Sequence, residues 1–196
     1  MQYEIWVLTL IAYLFGSISS AIITCKLLGL PDPRTEGSGN PGTTNVLRIG
    51  GKKAAIITLI GDCLKGVIPV LLAKWFDIDT LGLALVAFAA FFGHLYPIFF
   101  KFQGGKGVAT AFGCMTALSW PVGVCLLVTW LTIALMFRYS SLAALVTAIT
   151  APLFTYFFTN VTFTIMAVIM SLLLVFRHSK NIRNLFAGKE SKIGKK

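Results

Sequence analysis

Along this chain, apolar stretches long enough to approach the width of a bilayer alternate with short polar segments. The apolar runs fall at about residues 5–30, 54–76, 80–100, 107–120, 121–137, 141–158 and 161–176. Each predicts a helix, because in hydrocarbon a lone segment satisfies its backbone groups only internally. The runs at 107–120 and 121–137 are short for a core of about 30 Å at about 1.5 Å per residue, so residues 107–137 also admit a reading as one long tilted helix. Ser119-Trp120-Pro121 favours a turn there, since proline discourages helix at the residue before it. The first run has no Ala-x-Ala cleavage site and no basic region ahead of it, which reads as a retained spanning helix rather than a signal peptide. The pattern predicts an all-α, polytopic membrane helical bundle with seven transmembrane helices.

Composition agrees with that class. The 196 residues are 57% hydrophobic and only 12% charged, where a soluble domain carries about a quarter charged residues. Mean hydropathy is +0.83. A net charge of +10 would suggest a nucleic-acid partner, but the basic residues lie mostly in loops and in the tail, so topology explains them and no nucleic acid is expected. With seven spans, segments 31–53, 100–106, 138–140 and 177–196 share one side and collect most of the basic residues, from Arg34 and Arg48 to Lys192, Lys195 and Lys196. The opposite loops hold Lys74 beside Asp77 and Asp79. The positive-inside rule then puts the N-terminus outside and the C-terminus in the cytoplasm, whereas six spans would turn the basic tail outward. The expected organisation is a single integral-membrane domain over residues 1–196, with cytoplasmic motif loops at 31–53, 100–107 and 177–196. Cys25, Cys63, Cys114 and Cys125 sit in apolar stretches without CxxC spacing and read as small buried hydrophobes.

The candidate chemistry gathers in those loops. GSGNPGTTNVLR at 37–48 combines glycines, which free the backbone, with the hydroxyls and amides of Ser38, Asn40, Thr43, Thr44 and Asn45 and the planar cation of Arg48. An ordinary polar membrane loop would explain fewer such donors. In QGGKG at 103–107, Gly104, Gly105 and Gly107 let backbone N–H groups approach an anion, and Lys106 and the following helix start, near Val108, add positive potential. This is not a P-loop: position 100 is Phe and position 107 is Gly, so the first glycine of Walker A and its Mg²⁺-binding hydroxyl are both missing. After the last span comes RHSKNIRNLFAGKE at 177–190, where His178 and Asn181 are three apart and share a helix face. A tail touching anionic lipid is the plainer account of Lys192, Lys195 and Lys196. Asp62 and Lys65, also three apart, read equally as a structural ion pair or as a substrate contact. His94 near Pro97 reads as a hydrogen-bonded helix-end histidine. Arg138 and Ser141, in the corner Arg138-Tyr139-Ser140-Ser141, are placed to reach the same face.

No CxxC, HExxH or carboxylate cluster points to a metal, and no cofactor is expected. There is no G-x-S-x-G nucleophile elbow. Neither histidine has Asp at the H-x-x-x-x-D spacing of coenzyme-A-dependent glycerolipid acyltransferases, since Phe99 and Arg183 stand there.

At three stretches, GSGNPGTTNVLR (37–48), GHLYPIFFKFQGGKGVAT (93–110) and RHSKNIRNLFAGKE (177–190), the chain closely resembles the bacterial acyl-phosphate:glycerol-3-phosphate acyltransferases, the PlsY-type membrane enzymes. GDCLKG at 61–66 and RYSSLA at 138–143 are similar too. Thr43 stands where the family usually has Ala, and Ser179 where a basic residue is common. The resemblance implies transfer of a fatty acyl group from acyl phosphate to the sn-1 hydroxyl of glycerol 3-phosphate, giving lysophosphatidate and phosphate. It also implies a multi-pass protein of the bacterial cytoplasmic membrane, with its active site on the cytoplasmic side and membrane lipids around it. A monomer is expected, with association with other lipid-synthesis enzymes left open.

On that footing the expected catalytic residues are Ser38, Lys106, His178 and Asn181. Substrate binding is expected from Gly39, Asn40, Gly42, Thr43, Thr44, Asn45 and Arg48, from Gly104, Gly105 and Gly107, and from Arg138 and Ser141. One phosphate would sit at residues 38–44 and Lys106, the other near Arg48, His178 and Asn181. A mixed anhydride needs no covalent enzyme intermediate, so positioning and oxyanion stabilisation carry the rate. Either His178 or a substrate phosphate takes the proton, and the phosphate is favoured because no carboxylate stands ready to orient the histidine. The competing reading is a transporter of phosphorylated metabolites, although transporters bind near the midplane, often within inverted repeats that are not visible here. A scaffold for lipid synthesis is a weaker alternative still.

Overall fold

A computed structural model describes residues 2–194, and Lys195 and Lys196 of the basic tail lie outside the described residues. Among those residues the regular structure is all helix: α1 (Gln2–Gly16), α2 (Ser20–Leu27), α3 (Thr43–Trp75), α4 (Thr80–Leu95), a short 3₁₀ turn (Ile98–Phe100), α5 (Val108–Leu118), α6 (Trp120–Phe137), α7 (Ser140–Phe158), α8 (Val161–Arg177) and α9 (Ser179–Phe186). All seven apolar runs are helical. The alternative of one helix over 107–137 does not hold, because Ser119 is extended (φ −150°, ψ 110°) and starts α6 anew.

The first run differs from expectation. It is two helices bent by 41° at residues 17–19. Ser17 turns its hydroxyl back to the Tyr13 carbonyl (2.8 Å), and Ser19 restarts the helix by accepting from the Ile22 N–H (3.4 Å). Two serines in an apolar run supply local bonds for the backbone groups that the break leaves open. α3 also extends well beyond the apolar run, taking in the motif residues from Thr43 onward, and it kinks at Gly51 (φ 73°, ψ −169°).

Among the described residues, four segments are by length and composition long and apolar enough to cross a membrane: α3, Thr80–Phe100, α6 and α7. The bent pairs α1–α2 and α8–α9 bring the number to six, and α5 is a shorter apolar helix. Trp6, Trp75, Trp120, Leu135, Ile149 and Leu172 are among many large apolar side chains left exposed, as a surface in contact with lipid requires. The protein is an integral membrane protein.

The chain forms two compact units that meet in sequence at Leu118 and Ser119. In the first, α3 packs against α2, α4 and α5, and α1 packs against α4 and α3. Here α3 and α5 approach backbone to backbone: a Cβ on Gly66 would lie 2.3 Å from the Thr110 carbonyl oxygen. Close approach through small residues is how helices associate without a hydrophobic drive between them. At the far ends of the same pair, Lys74 Nζ donates to the Leu118 carbonyl (2.9 Å), so α3 and α5 run in parallel and finish at one level. In the second unit α7 packs between α6 and α8, and α9 touches both α7 and α8.

Candidate active site

In the first unit, Asn45 lies in the opening turn of α3 and is buried. Its amide donates to the carbonyls of Pro33 (2.8 Å) and Glu36 (3.0 Å) and accepts from the Ser38 N–H (2.8 Å). These bonds fold residues 33–38 onto the helix start and hold Ser38 and Gly39 at the exposed tip. The turn needs glycine at 37, where φ is +61° and a Cβ would lie 2.3 Å from Asn45 Oδ1. Gly42 precedes α3 without a side-chain cap, so the positive end of the helix dipole meets this loop. Arg48 is exposed one turn beyond Thr44 and shares its face.

The second loop descends from the 3₁₀ turn through Lys101 and Phe102, both left-handed (φ 55° and 58°). The Gly105 N–H then donates to the His94 carbonyl (3.2 Å). Gly104 and Gly105 are buried and Lys106 is half-buried just before α5. A Cβ on Gly105 would lie 2.2 Å from His94 Nε2 and 3.1 Å from the Pro41 carbonyl oxygen. The fold therefore brings the two glycine-rich loops, more than sixty residues apart in sequence, against one another.

Beneath them lies a buried polar cluster. Asp62 Oδ1 and Lys65 Nζ pair at 3.0 Å, and Lys65 also donates to the Ile18 carbonyl in the break between α1 and α2 (2.9 Å). His94 Nδ1 is 3.2 Å from Thr110 Oγ1 and 3.7 Å from Asp62 Oδ1. Beside the loops an open cleft of about 440 Å³ is lined by Asp32, Arg34, Thr35, Phe99, Phe100, Lys101 and Gln103. Arg34 grips both carboxylate oxygens of Asp32 (2.7–3.1 Å), and this hydrogen bonding holds the Asp32 carboxyl below its ordinary range.

In the second unit, His178 is the residue between α8 and α9 and is buried. Its Nδ1 lies 2.8 Å from the Leu174 carbonyl oxygen. A carbonyl only accepts, so Nδ1 carries the hydrogen, and in the neutral form of the ring the lone pair lies on Nε2. Asn181 Nδ2 donates to Glu190 Oε1 (2.7 Å), and Ser141 Oγ donates to the same oxygen (2.7 Å). The Ile193 N–H donates to the Arg138 carbonyl (2.6 Å), and Arg138 Nη2 donates back to the Ile193 carbonyl (3.3 Å). Residues 190–193 thus strap across the α6–α7 corner to α9. Nothing in the sequence singles out Glu190. It stood inside the quoted motif, nine residues past Asn181, but a lone acidic residue in a basic tail gave no local sign of its partners.

Comparison with known proteins gives a consistent picture. Residues 6–188 match the family model described as glycerol-3-phosphate acyltransferase. A relative of that name from Methylococcus capsulatus is 53% identical over 192 residues, covering 97% of this chain and 97% of the relative. Another from Shewanella loihica is 52% identical over 187 residues, covering 95% and 92%. Among solved structures, the crystal structure of PlsY, an integral membrane glycerol 3-phosphate acyltransferase, is similar in its glycerol 3-phosphate form with a TM-score of 0.92, 42% identity and coverage of 97% and 96%. Its lysophosphatidic acid form gives a TM-score of 0.90 at 41% identity, with the same coverage.

Proposed function

The chain belongs to the glycerol-3-phosphate acyltransferase family, and from that premise we propose that it transfers a fatty acyl group from acyl phosphate to the sn-1 hydroxyl of glycerol 3-phosphate. The observation that carries this reading, within a match along nearly the whole chain, is the meeting of two glycine-rich loops at Pro41 and Gly105 in a membrane-embedded unit. Both substrates bear phosphate, and backbone N–H groups, hydroxyls and Lys106 suit it.

In the reaction the glycerol hydroxyl oxygen attacks the acyl carbonyl carbon, the bond from that carbon to the phosphate oxygen breaks, and inorganic phosphate leaves. Ser38, Lys106, His178 and Asn181 are assigned to catalysis. Gly39, Asn40, Gly42, Thr43, Thr44, Arg48, Gly104, Gly105, Gly107, Arg138 and Ser141 are assigned to substrate binding, and Asn45 contributes by shaping the loop. The hydroxyl proton passes to His178 Nε2 or to the leaving phosphate. The bond from His178 Nδ1 to the Leu174 carbonyl favours the histidine more than its sequence did, because a backbone carbonyl supplies the orientation that no carboxylate offers. Turnover retained in His178→Ala would return the role to the phosphate.

The fuller topology is part of the same proposal: one integral-membrane domain with seven spans, the N-terminus outside, and the three motif loops and C-terminus in the cytoplasm of a bacterial cell, at the inner membrane. Counting α5 as a span is supported by its parallel run with α3 and by the Lys74–Leu118 bond that levels their ends.

The test is product formation by purified protein from palmitoyl phosphate and glycerol 3-phosphate, beside a palmitoyl-CoA control. Lysophosphatidate from acyl phosphate alone is expected. No product from either donor, in folded protein, would overturn the reading and favour transport.

A further inference from the structure

We propose that His94, braced by Asp62, Lys65 and Thr110, is a positioning residue that fixes where the 103–107 loop presents its backbone and Lys106 to a substrate phosphate. The inference deepens the acyltransferase reading and rests on it.

Four polar side chains from three helices meet in an apolar setting: Asp62 and Lys65 from α3, His94 from α4 and Thr110 from α5, all buried. A buried ion pair is a poor way to gain stability, because desolvation offsets most of the attraction and apolar replacements are often neutral or better. What such a cluster does supply is direction, since hydrogen bonds and charges fix orientation where apolar packing allows slippage. Its members lock one another. Lys65 bridges Asp62 and the open carbonyl of Ile18, while Asp62 and Thr110 flank the same nitrogen, Nδ1, of His94.

The opposite edge of the ring meets the glycine loop. His94 Nε2 lies 2.2 Å from where a Gly105 Cβ would stand, and the His94 carbonyl accepts the Gly105 N–H at 3.2 Å. His94 thus contacts Gly105 through both ring and main chain, and Lys106 is the next residue. The Pro41 carbonyl borders the same point at 3.1 Å, so the 37–45 loop rests on the same support. A tilt of this ring moves both glycine-rich loops, and misplacement by about 1 Å costs about 100-fold in rate. His94 itself is only 6% exposed, which suits a support beneath the loop better than a substrate ligand.

The test uses the full-length purified protein and a double-mutant cycle. His94→Asn keeps a polar atom near the Nδ1 position and vacates the Nε2 edge, and Gly105→Ala places a Cβ in that vacated space. Each single variant should lower kcat/KM by about 10-fold or more, through the KM of one phosphate substrate, with the other KM changed less than about twofold. The double variant should lose no more than the worse single. Losses that multiply, or singles with wild-type kinetics, would overturn the proposal. A second variant separates positioning from folding: Asp62→Leu with Lys65→Met should keep or raise the unfolding temperature and still lose about 10-fold in kcat/KM. Wild-type kinetics in that variant would also overturn it. Inorganic phosphate gives a readout independent of turnover. It should raise the wild-type unfolding temperature, and His94→Asn should lose that rise. An inactive wild type that still shows this difference would sink only the acyltransferase reading, and equal phosphate responses would sink the positioning role.

Discussion

Asn45 directs both amide hydrogens and its carbonyl oxygen to the chain around it. Its residue type suits a phosphate ligand, and the fold uses it to hold the loop that carries Ser38. Asn45→Ala leaves two carbonyls and one N–H without their partner, and the expected loss is about 2–3 kcal/mol, measured as a fall in the midpoint of thermal or denaturant unfolding. Gly37→Ala strikes the same contact through a Cβ at 2.3 Å from Asn45 Oδ1, so the two losses should combine to less than their sum. Lys106 is instead proposed to act on the substrate. Lys106→Ala should lower kcat/KM by about 100-fold or more. Steady-state kinetics with palmitoyl phosphate checks this, and unchanged kcat and KM would remove Lys106 from the phosphate loop.

At the scale of elements, two features carry consequences. α3 turns at Gly51, whose φ of 73° and ψ of −169° lie in a region that is essentially glycine-only. A Cβ there would meet no atom within 4 Å, so the cost of Gly51→Ala is purely that of the backbone. It should be about 1–3 kcal/mol, again read from unfolding. The strap at 190–193 is the second feature. One carboxylate oxygen of Glu190 holds both Asn181 and Ser141, while Ile193 bonds Arg138 and Lys192 lies 5.6 Å from the Tyr139 ring centroid. Glu190→Ala should cost about 2–3 kcal/mol and lower activity through a loosened Asn181. Glu190→Gln keeps an acceptor oxygen and should recover part of each, as activity and unfolding of the three proteins side by side will show.

For the whole molecule the consequential property is sidedness. The Lys and Arg residues of the motif loops and tail belong to one side under the seven-span arrangement, and Lys74, Asp77 and Asp79 to the other. With Cys25, Cys63, Cys114 and Cys125 replaced, a single cysteine at Asp77 should react with a membrane-impermeant thiol reagent in intact cells. One at Lys192 should react only after permeabilisation. The reverse pattern would invert the topology and place the proposed phosphate loops outside.

The sequence by itself determined the membrane class, the seven helical runs and the polar loops between them. Lipid imposes that pattern locally, because every backbone group must be satisfied within its own segment. It also offered Ser38, Lys106, His178 and Asn181 as candidates for the chemistry, since glycine-rich and basic motifs suit phosphate through residue type alone. Tertiary structure decided the partners of the polar side chains. Nothing near Asn45 in sequence shows that Pro33 and Glu36 take its hydrogens, nothing near Glu190 points to Ser141, and Asp62, His94 and Thr110 read as separate until three helices bring them together. A hydrogen bond depends on distance and direction in space, and these are set by how whole helices pack.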